Sequence, residues 1–197
     1  MPKVGMKPLR RKQLIAAAIS SIHEYGLADA TLARIARKAG VSTGIIHHYF
    51  DDKNDLIFET MRSLLEDLRV ETVHRLRTAE DPRGRVLAIV DASFAPQQFS
   101  VEVMTAWLSL YGSALNAPEL RRIFNIYGAR LASNLRHGFA ALMPAAEARL
   151  AAEGAAALID GLWLQFALKG DLPDPDHARR LLRSYVDLQI AYHGARQ

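Results

Sequence analysis

The chain has 197 residues, of which 50% are hydrophobic, so it can bury a core within one domain or a small domain joined to a larger one. It has no cysteine, which excludes disulfides, thiolate zinc sites and cysteine nucleophiles. Residues 1–53 contain nine Lys or Arg and four Asp or Glu, whereas residues 54–197 contain sixteen Lys or Arg and seventeen Asp or Glu. The positive charge is therefore concentrated near the N-terminus. This pattern is typical of a polyanion-binding module, but a solvated basic face would also produce it.

Apolar residues recur at a spacing near 3.6 residues along almost the whole chain, without a convincing period-two alternation. The sequence therefore predicts an all-α fold of about nine helices. Gly26 and Gly40 are expected to end the first two, and prolines or glycines separate the later ones. The predicted helices are about 7–25, 31–40, 42–50, 53–79, 83–95, 98–114, 118–141, 145–169 and 176–193.

Residues 31–50 have the pattern of a helix-turn-helix. Thr31 and Ser42 are good N-cap residues for two short helices, and Gly40 relaxes the backbone at the turn between them. Ile46 and Phe50, four residues apart, anchor the second helix on the core. The N-terminal amides of that helix are left free to face a phosphate.

The outward face of the second helix is the candidate DNA reader. A recognition helix enters the major groove by its N-terminal end, which places Thr43 and Gly44 nearest the base edges and Ile45 near a thymine methyl. Tyr49 could face either way. Lys53 begins the next helix, where a cation is unfavourable unless an anion such as a DNA phosphate lies opposite. The candidate DNA-binding residues are Thr31, Arg34, Ser42, Thr43, Gly44, Ile45, His47, His48, Tyr49 and Lys53.

The segment 31–56 resembles the N-terminal signature of the tetracycline-repressor (TetR) family of transcription regulators. The matching positions are Thr31, Ile35, Ala36, Ala39, Gly40, Val41, Ser42, Gly44, Tyr49, Phe50, Lys53 and Leu56. His47 departs from the pattern, because the family usually has a Tyr there that meets the DNA backbone. The resemblance implies a homodimeric repressor of palindromic operator DNA. It also implies a DNA-binding domain at 1–53 and a helical ligand-binding and dimerisation domain at 54–197.

Three runs narrow this resemblance to a branch of the family, the choline-responsive repressors of glycine betaine synthesis. They are the opening MPKVGM, residues 40–50 and residues 157–164. This likeness implies repression of the genes that import choline and oxidise it to betaine, relieved when choline binds. The alternative is a regulator of the same family that answers to another small cationic or aromatic ligand.

A choline pocket requires aromatic faces around the quaternary ammonium, and a carboxylate can offset its charge. Asp91 and Asp160 each interrupt an otherwise apolar helix face, and Asp160 is the predicted carboxylate of the pocket. Aromatic residues at helical spacing also occur as ordinary core, and an Asp followed by Gly can cap a helix or pair across an interface. The candidate ligand-binding residues are Trp107, Tyr111, Phe124, Tyr127, Asp160 and Trp163.

The last two helices, within about 145–193, carry more apolar surface than a terminal hairpin needs, which predicts a two-fold four-helix dimer interface. No apolar run has the length of a signal peptide or a membrane span, so the protein is expected to be cytoplasmic and not to associate with membranes.

Two other classes of protein fit less well. A metal-dependent enzyme built on His47, His48, Asp51 and Asp52 is disfavoured, because adjacent helical residues point about 100° apart. No phosphate loop or nucleophile elbow is present, and no cofactor or metal is predicted. A DNA-compacting protein would spread its positive charge over the whole chain.

Overall fold

The computed structural model describes residues 6–169 and 174–194, which form nine α-helices and no strand. These are α1 Met6–Asp29, α2 Leu32–Lys38, α3 Thr43–His47, α4 Lys53–Arg77, α5 Pro82–Ser93, α6 Val101–Ala114, α7 Pro118–Phe139, α8 Ala145–Lys169 and α9 Pro175–Gly194. The all-α prediction and the order of the helices are confirmed. Residues 1–5, and most of the turn expected before α9, lie outside the described residues.

Side-chain caps fix where several helices begin. Thr31 accepts a hydrogen bond from the backbone N–H of Arg34 at 3.3 Å, and Asp52 accepts one from Asp55 at 2.8 Å. Each bond satisfies a backbone donor that has no partner within its helix. Ser42 holds the extended backbone of an N-cap at α3 but makes no side-chain cap hydrogen bond. Its hydroxyl is therefore not used to start α3.

The end of α1 differs from the sequence prediction. Gly26 does not end the helix but kinks it, with φ of 74° and ψ of 163°, and a further helical turn follows to Asp29. Glycine tolerates this positive φ because it has no Cβ. The N–H of Ala30 donates back to the carbonyl of Gly26 at 3.0 Å. The kinked turn directs its carbonyls towards the start of α4.

Three apolar clusters hold the helices together. The first joins α1, α2, α3 and the start of α4 around residues such as Leu14, Ile35 and Phe50. The second, which includes Ile22, Met61 and Trp107, packs α1 and α4 against α6 and α7. The third fills the space between α5, α7, α8 and α9. The middle cluster thus connects α1 and α4, which flank the helix-turn-helix, to α6 and α7 behind them. Across the described parts of the chain, no helix is long and apolar enough to cross a membrane.

Candidate DNA reader and ligand cavity

The short helix α3 has one buried and one exposed face. Ile46 and Phe50 are buried in the first cluster, as predicted. Tyr49 is half-buried against the same cluster, and its ring meets the His48 ring edge-on at 5.2 Å. Tyr49 therefore lies at the edge of the core. The residues left exposed are Ser42, Thr43, Gly44, Ile45, His47 and His48.

The turn before α3 is built as the motif requires. Gly40 has a φ of 65°, a conformation that disfavours any residue with a Cβ. The amide of Gln13 on α1 donates to the carbonyl of Ala39 at the end of α2, at 2.8 Å. Gln13 thus fixes α2 against α1. Sequence reasoning missed this contact because the two residues are 26 positions apart and no local pattern connects them.

Lys53 is engaged within the protein. Its ammonium donates to the carbonyl oxygens of Leu27 at 2.8 Å and Ala28 at 2.9 Å, in the last turn of α1. Burial lowers the pKa of Lys53. The negative end of α1 therefore offsets the unfavourable cation at the start of α4. A DNA phosphate is not needed to explain its position, and its contact with phosphate stays a prediction.

Arg34 is held at the same turn. Its guanidinium donates to the carbonyl of Asp29 at 2.9 Å and lies 4.5 Å from the centroid of the Tyr25 ring. Lys53 and Arg34 thus both bind the end of α1, which links α1, α2 and α4. Among the described His, Asp and Glu residues, none come together in a group of three that could hold a metal ion.

Behind the reader lies a cavity of about 440 Å³. Five of the six residues predicted to contact ligand line it, although they come from α6, α7 and α8. Phe124 does not line it and stacks behind Tyr111, with ring centroids 4.1 Å apart. The lining residues are Leu68, Ser93, Met104, Trp107, Leu108, Tyr111, Gly112, Leu115, Tyr127, Asp160, Gly161, Trp163 and Leu164.

The aromatic rings of the cavity gather around Trp107. Its ring centroid lies 6.0 Å from that of Tyr111, 5.6 Å from Tyr127 and 5.7 Å from Trp163. The indole N–H of Trp163 donates to the carbonyl of Ser93 at 3.1 Å, which fixes that ring. The indole N–H of Trp107 is buried and has no partner among the described residues. The walls are thus rich in π-electron surface, which attracts cations.

Asp160 supplies the charge of the cavity. It is the one charged side chain among the described residues that line it, and it makes no hydrogen bond or ion pair with them. Asp160 remains accessible, but burial by its neighbours raises the pKa of its carboxyl. Burial, and secondly the negative charge of Asp160, raise the pKa values of Tyr111 and Tyr127. An ionised carboxylate without a counter-ion is unfavourable in such surroundings, so the cavity suits a cation.

The other acidic residue that interrupts an apolar helix face has a different role. The carboxylate of Asp91 accepts a hydrogen bond from Arg183 of α9 at 2.6 Å, and Asp91 does not line the cavity. This ion pair ties α5 to α9. The structure therefore distinguishes two aspartates that look alike in the sequence: Asp91 is paired within the protein, whereas Asp160 lines the cavity without a partner among the described residues.

A helix-turn-helix with an exposed recognition face, joined to helices that enclose a small-molecule cavity, defines a ligand-controlled, DNA-binding transcription regulator. Residues 14–60 match the model of bacterial regulatory proteins of the tetR family, and residues 82–191 match that of the C-terminal part of BetI-type transcriptional repressors. The chain belongs to the TetR family and, within it, to the BetI-type repressors. This confirms the prediction of a regulator rather than an enzyme.

Curated relatives match the chain over almost its full length. The chain is 46% identical to the HTH-type transcriptional regulator BetI of Ectopseudomonas mendocina over 192 residues, covering 96% of this chain and 98% of the relative. It is 48% identical to the regulator of the same name from Burkholderia lata, covering 97% and 99%. Regulators of this family bind operator DNA and small-molecule effectors and are typically dimers.

Solved structures share the fold. A putative transcriptional regulator from Pseudomonas aeruginosa PAO1 is similar with a TM-score of 0.81 and 25% identity, covering 96% of this chain and 93% of that one. A putative transcriptional regulator from Saccharomonospora viridis, in complex with choline, is similar with a TM-score of 0.75 and 24% identity, covering 90% and 95%.

Proposed function

We propose that this repressor controls genes of choline transport and glycine betaine synthesis, and that choline releases it from its operator. The observation that carries the effector assignment is the cavity, where Trp107, Tyr111, Tyr127 and Trp163 surround one unpaired carboxylate, Asp160. A quaternary ammonium carries positive charge but has no N–H to donate, so aromatic rings and a carboxylate suit it better than hydrogen-bond acceptors do. The structure from Saccharomonospora viridis, in complex with choline, supports the proposal at the level of the fold.

The exposed face of α3 is the proposed base reader. Thr43 and Gly44 enter the major groove first, and Ile45 follows. The hydroxyl of Ser42, which makes no cap hydrogen bond, and the free amides of α3 face a phosphate. His47 and His48 contact the DNA backbone from the same exposed side. Thr31 and Tyr49 hold the two short helices in place.

The proposed active form is a cytoplasmic homodimer that reads a palindromic operator. Helices α8 and α9 form the dimer interface. A single short helix reads few base pairs, and a second copy supplies the other half-site. Both helices expose large apolar side chains that a four-helix contact would bury. These are Leu150, Leu158, Leu164, Leu168, Leu181 and Leu188.

The path from cavity to reader runs through α6 and α1. Helix α6 carries Trp107 and Tyr111, and α1 packs against it. The His23 ring of α1 lies within hydrogen-bonding distance of the Thr105 hydroxyl of α6, at 3.2 Å. The end of α1 is in turn held by Lys53, the first residue of α4. A ligand that shifts α6 would therefore move α1 and α4, and with them the spacing of the two readers in a dimer.

The test is a fluorescence anisotropy titration of the protein on labelled DNA from its own promoter, with and without choline. Tyr111→Leu removes a ring from the cavity, whereas Tyr111→Phe keeps it and serves as the matched control. Loss of one cation–π contact is expected to weaken choline binding about tenfold in Tyr111→Leu, with little change in Tyr111→Phe. If choline leaves operator binding unchanged at every concentration, the effector assignment is refuted and the DNA-binding assignment stands.

A further inference from the structure

The cavity has more room than choline fills. Choline has seven non-hydrogen atoms, and seven water molecules occupy only about 200 Å³ in the liquid. The cavity measures about 440 Å³, a size typical of sites that hold drug-sized ligands. Its walls beyond the aromatic group are aliphatic and include Met104, Leu108 and Leu115. The excess volume therefore suits additional apolar atoms on the ligand.

A second space adjoins the cavity. A groove of about 570 Å³ runs between α4, α5 and α7. Leu68, Ser93 and Tyr127 line both the cavity and the groove, so these side chains form a wall common to the two. The sides of the groove are mainly aliphatic, with Leu65, Leu68, Val73, Leu76, Ile89, Ile123, Ile126 and Leu131. Such a surface suits a hydrocarbon chain rather than a second cation.

Charge distinguishes the two spaces. The cavity holds Asp160, whereas the groove is edged by Arg62, Arg69 and Arg130 and by one carboxylate, Glu66. Glu59 pairs with Arg62 at 2.8 Å and Glu66 with Arg69 at 2.6 Å. Arg130 has no ion-pair partner in the described part of the chain. A molecule with one cationic end is therefore attracted to the cavity by that end and repelled from the groove by Arg130, which sets its orientation.

We propose that the regulator also binds quaternary ammonium compounds that carry an alkyl or acyl chain, with the trimethylammonium head in the cavity and the chain passing Leu68 into the groove. The inference rests on the proposed function, because it uses the same aromatic cavity for the head. The groove is a second subsite beside the cavity, and the ligands are cationic amphiphiles with a hydrocarbon chain.

The experiment is a calorimetric titration of the full-length protein with choline and with butyl- and octyltrimethylammonium. Each methylene that enters the groove should tighten binding roughly threefold to fourfold. Ile126→Trp blocks the groove from an exposed position, so it should abolish the gain with chain length and leave choline affinity unchanged. Val70→Trp is the matched control, since Val70 is exposed on α4 and lines neither space.

Four outcomes would overturn the inference. If choline binds but chain length has no effect, or if the gain persists in Ile126→Trp, the groove is not a ligand subsite and the proposed function remains. If octanol binds as tightly as octyltrimethylammonium, the effect is partition of hydrocarbon without recognition of the head. If neither choline nor any longer compound binds, the inference and the proposed function both fail.

Discussion

Replacing Asp160 with Asn should raise the stability of the free protein and weaken choline binding. Asn keeps the shape of the side chain and removes its charge. Burial raises the pKa of Asp160, which means that the ionised form is less favourable in the folded chain than in the unfolded one. The resulting loss of stability is fully present above the raised pKa and absent below the ordinary pKa of an aspartate. Asp160→Asn should therefore raise Tm at neutral pH, with no gain in acid.

The same substitution removes the partner of the bound cation. Two unit charges about 4 Å apart attract by about 1 kcal/mol in water and by about 4 kcal/mol at an effective dielectric constant of 20. Asp160 is accessible yet bordered by apolar side chains, which places the expected loss near 2 kcal/mol, or about thirtyfold in Kd. In the unmodified protein, choline affinity should fall as the pH is lowered through the raised pKa, because the carboxylate becomes neutral. In Asp160→Asn it should not change over that range.

Thermal unfolding and tryptophan fluorescence measure the two effects separately. The chain has two tryptophans, Trp107 and Trp163, and both line the cavity, so its indole emission reports directly on the site. Asp160→Asn with a lower Tm and an unchanged affinity for choline would refute this reasoning, since Asp160 would then be a structural residue. A higher Tm with a weaker affinity would identify a carboxylate that is kept for a ligand.

Further substitutions test the contacts that hold the DNA reader and the cavity in place. Lys53→Met should lower the free energy of unfolding by about 2 kcal/mol in urea denaturation, because two carbonyls lose a charged donor; an unchanged value would contradict the role of these bonds. Thr31→Ala should cost about 1 kcal/mol by loss of the cap on α2. Ser42→Ala should leave stability nearly unchanged and weaken operator binding in anisotropy titrations, because Ser42 makes no cap hydrogen bond. If Thr31→Ala and Ser42→Ala lost equal stability, the difference between these two caps would be contradicted. Gly138→Ala should cost about 1–3 kcal/mol, because its Cβ would lie 2.6 Å from Val86 Cγ2. Val86→Ala in the same chain should recover part of that loss, and fully additive effects would exclude this contact.

Much of the fold could be predicted from local patterns. Helical spacing of apolar residues, with prolines and glycines at the breaks, predicted in the correct order the nine helices found within residues 6–169 and 174–194. The kink at Gly26 could not be predicted in this way. Whether a glycine ends a helix or bends it depends on what the following turn contacts, and here that turn binds Lys53 and Arg34 from other helices.

The two candidate sites also differ in how far local sequence patterns predict them. The motif at 31–50 is a local pattern, because its caps, turn and anchors lie within 20 residues of each other, and the sequence by itself determined the reader and the family. Aromatic residues at helical spacing are equally compatible with core and with pocket. Only the packing of α6, α7 and α8 decided that Trp107, Tyr127 and Trp163 surround one cavity and that Phe124 lies behind it. Likewise, only tertiary structure distinguished Asp160 from Asp91, because the partner of Asp91 is 92 positions away in the chain. Local geometry is encoded by neighbours in the sequence, whereas the lining of a cavity and the pairing of a charge depend on helices that meet only in the folded protein.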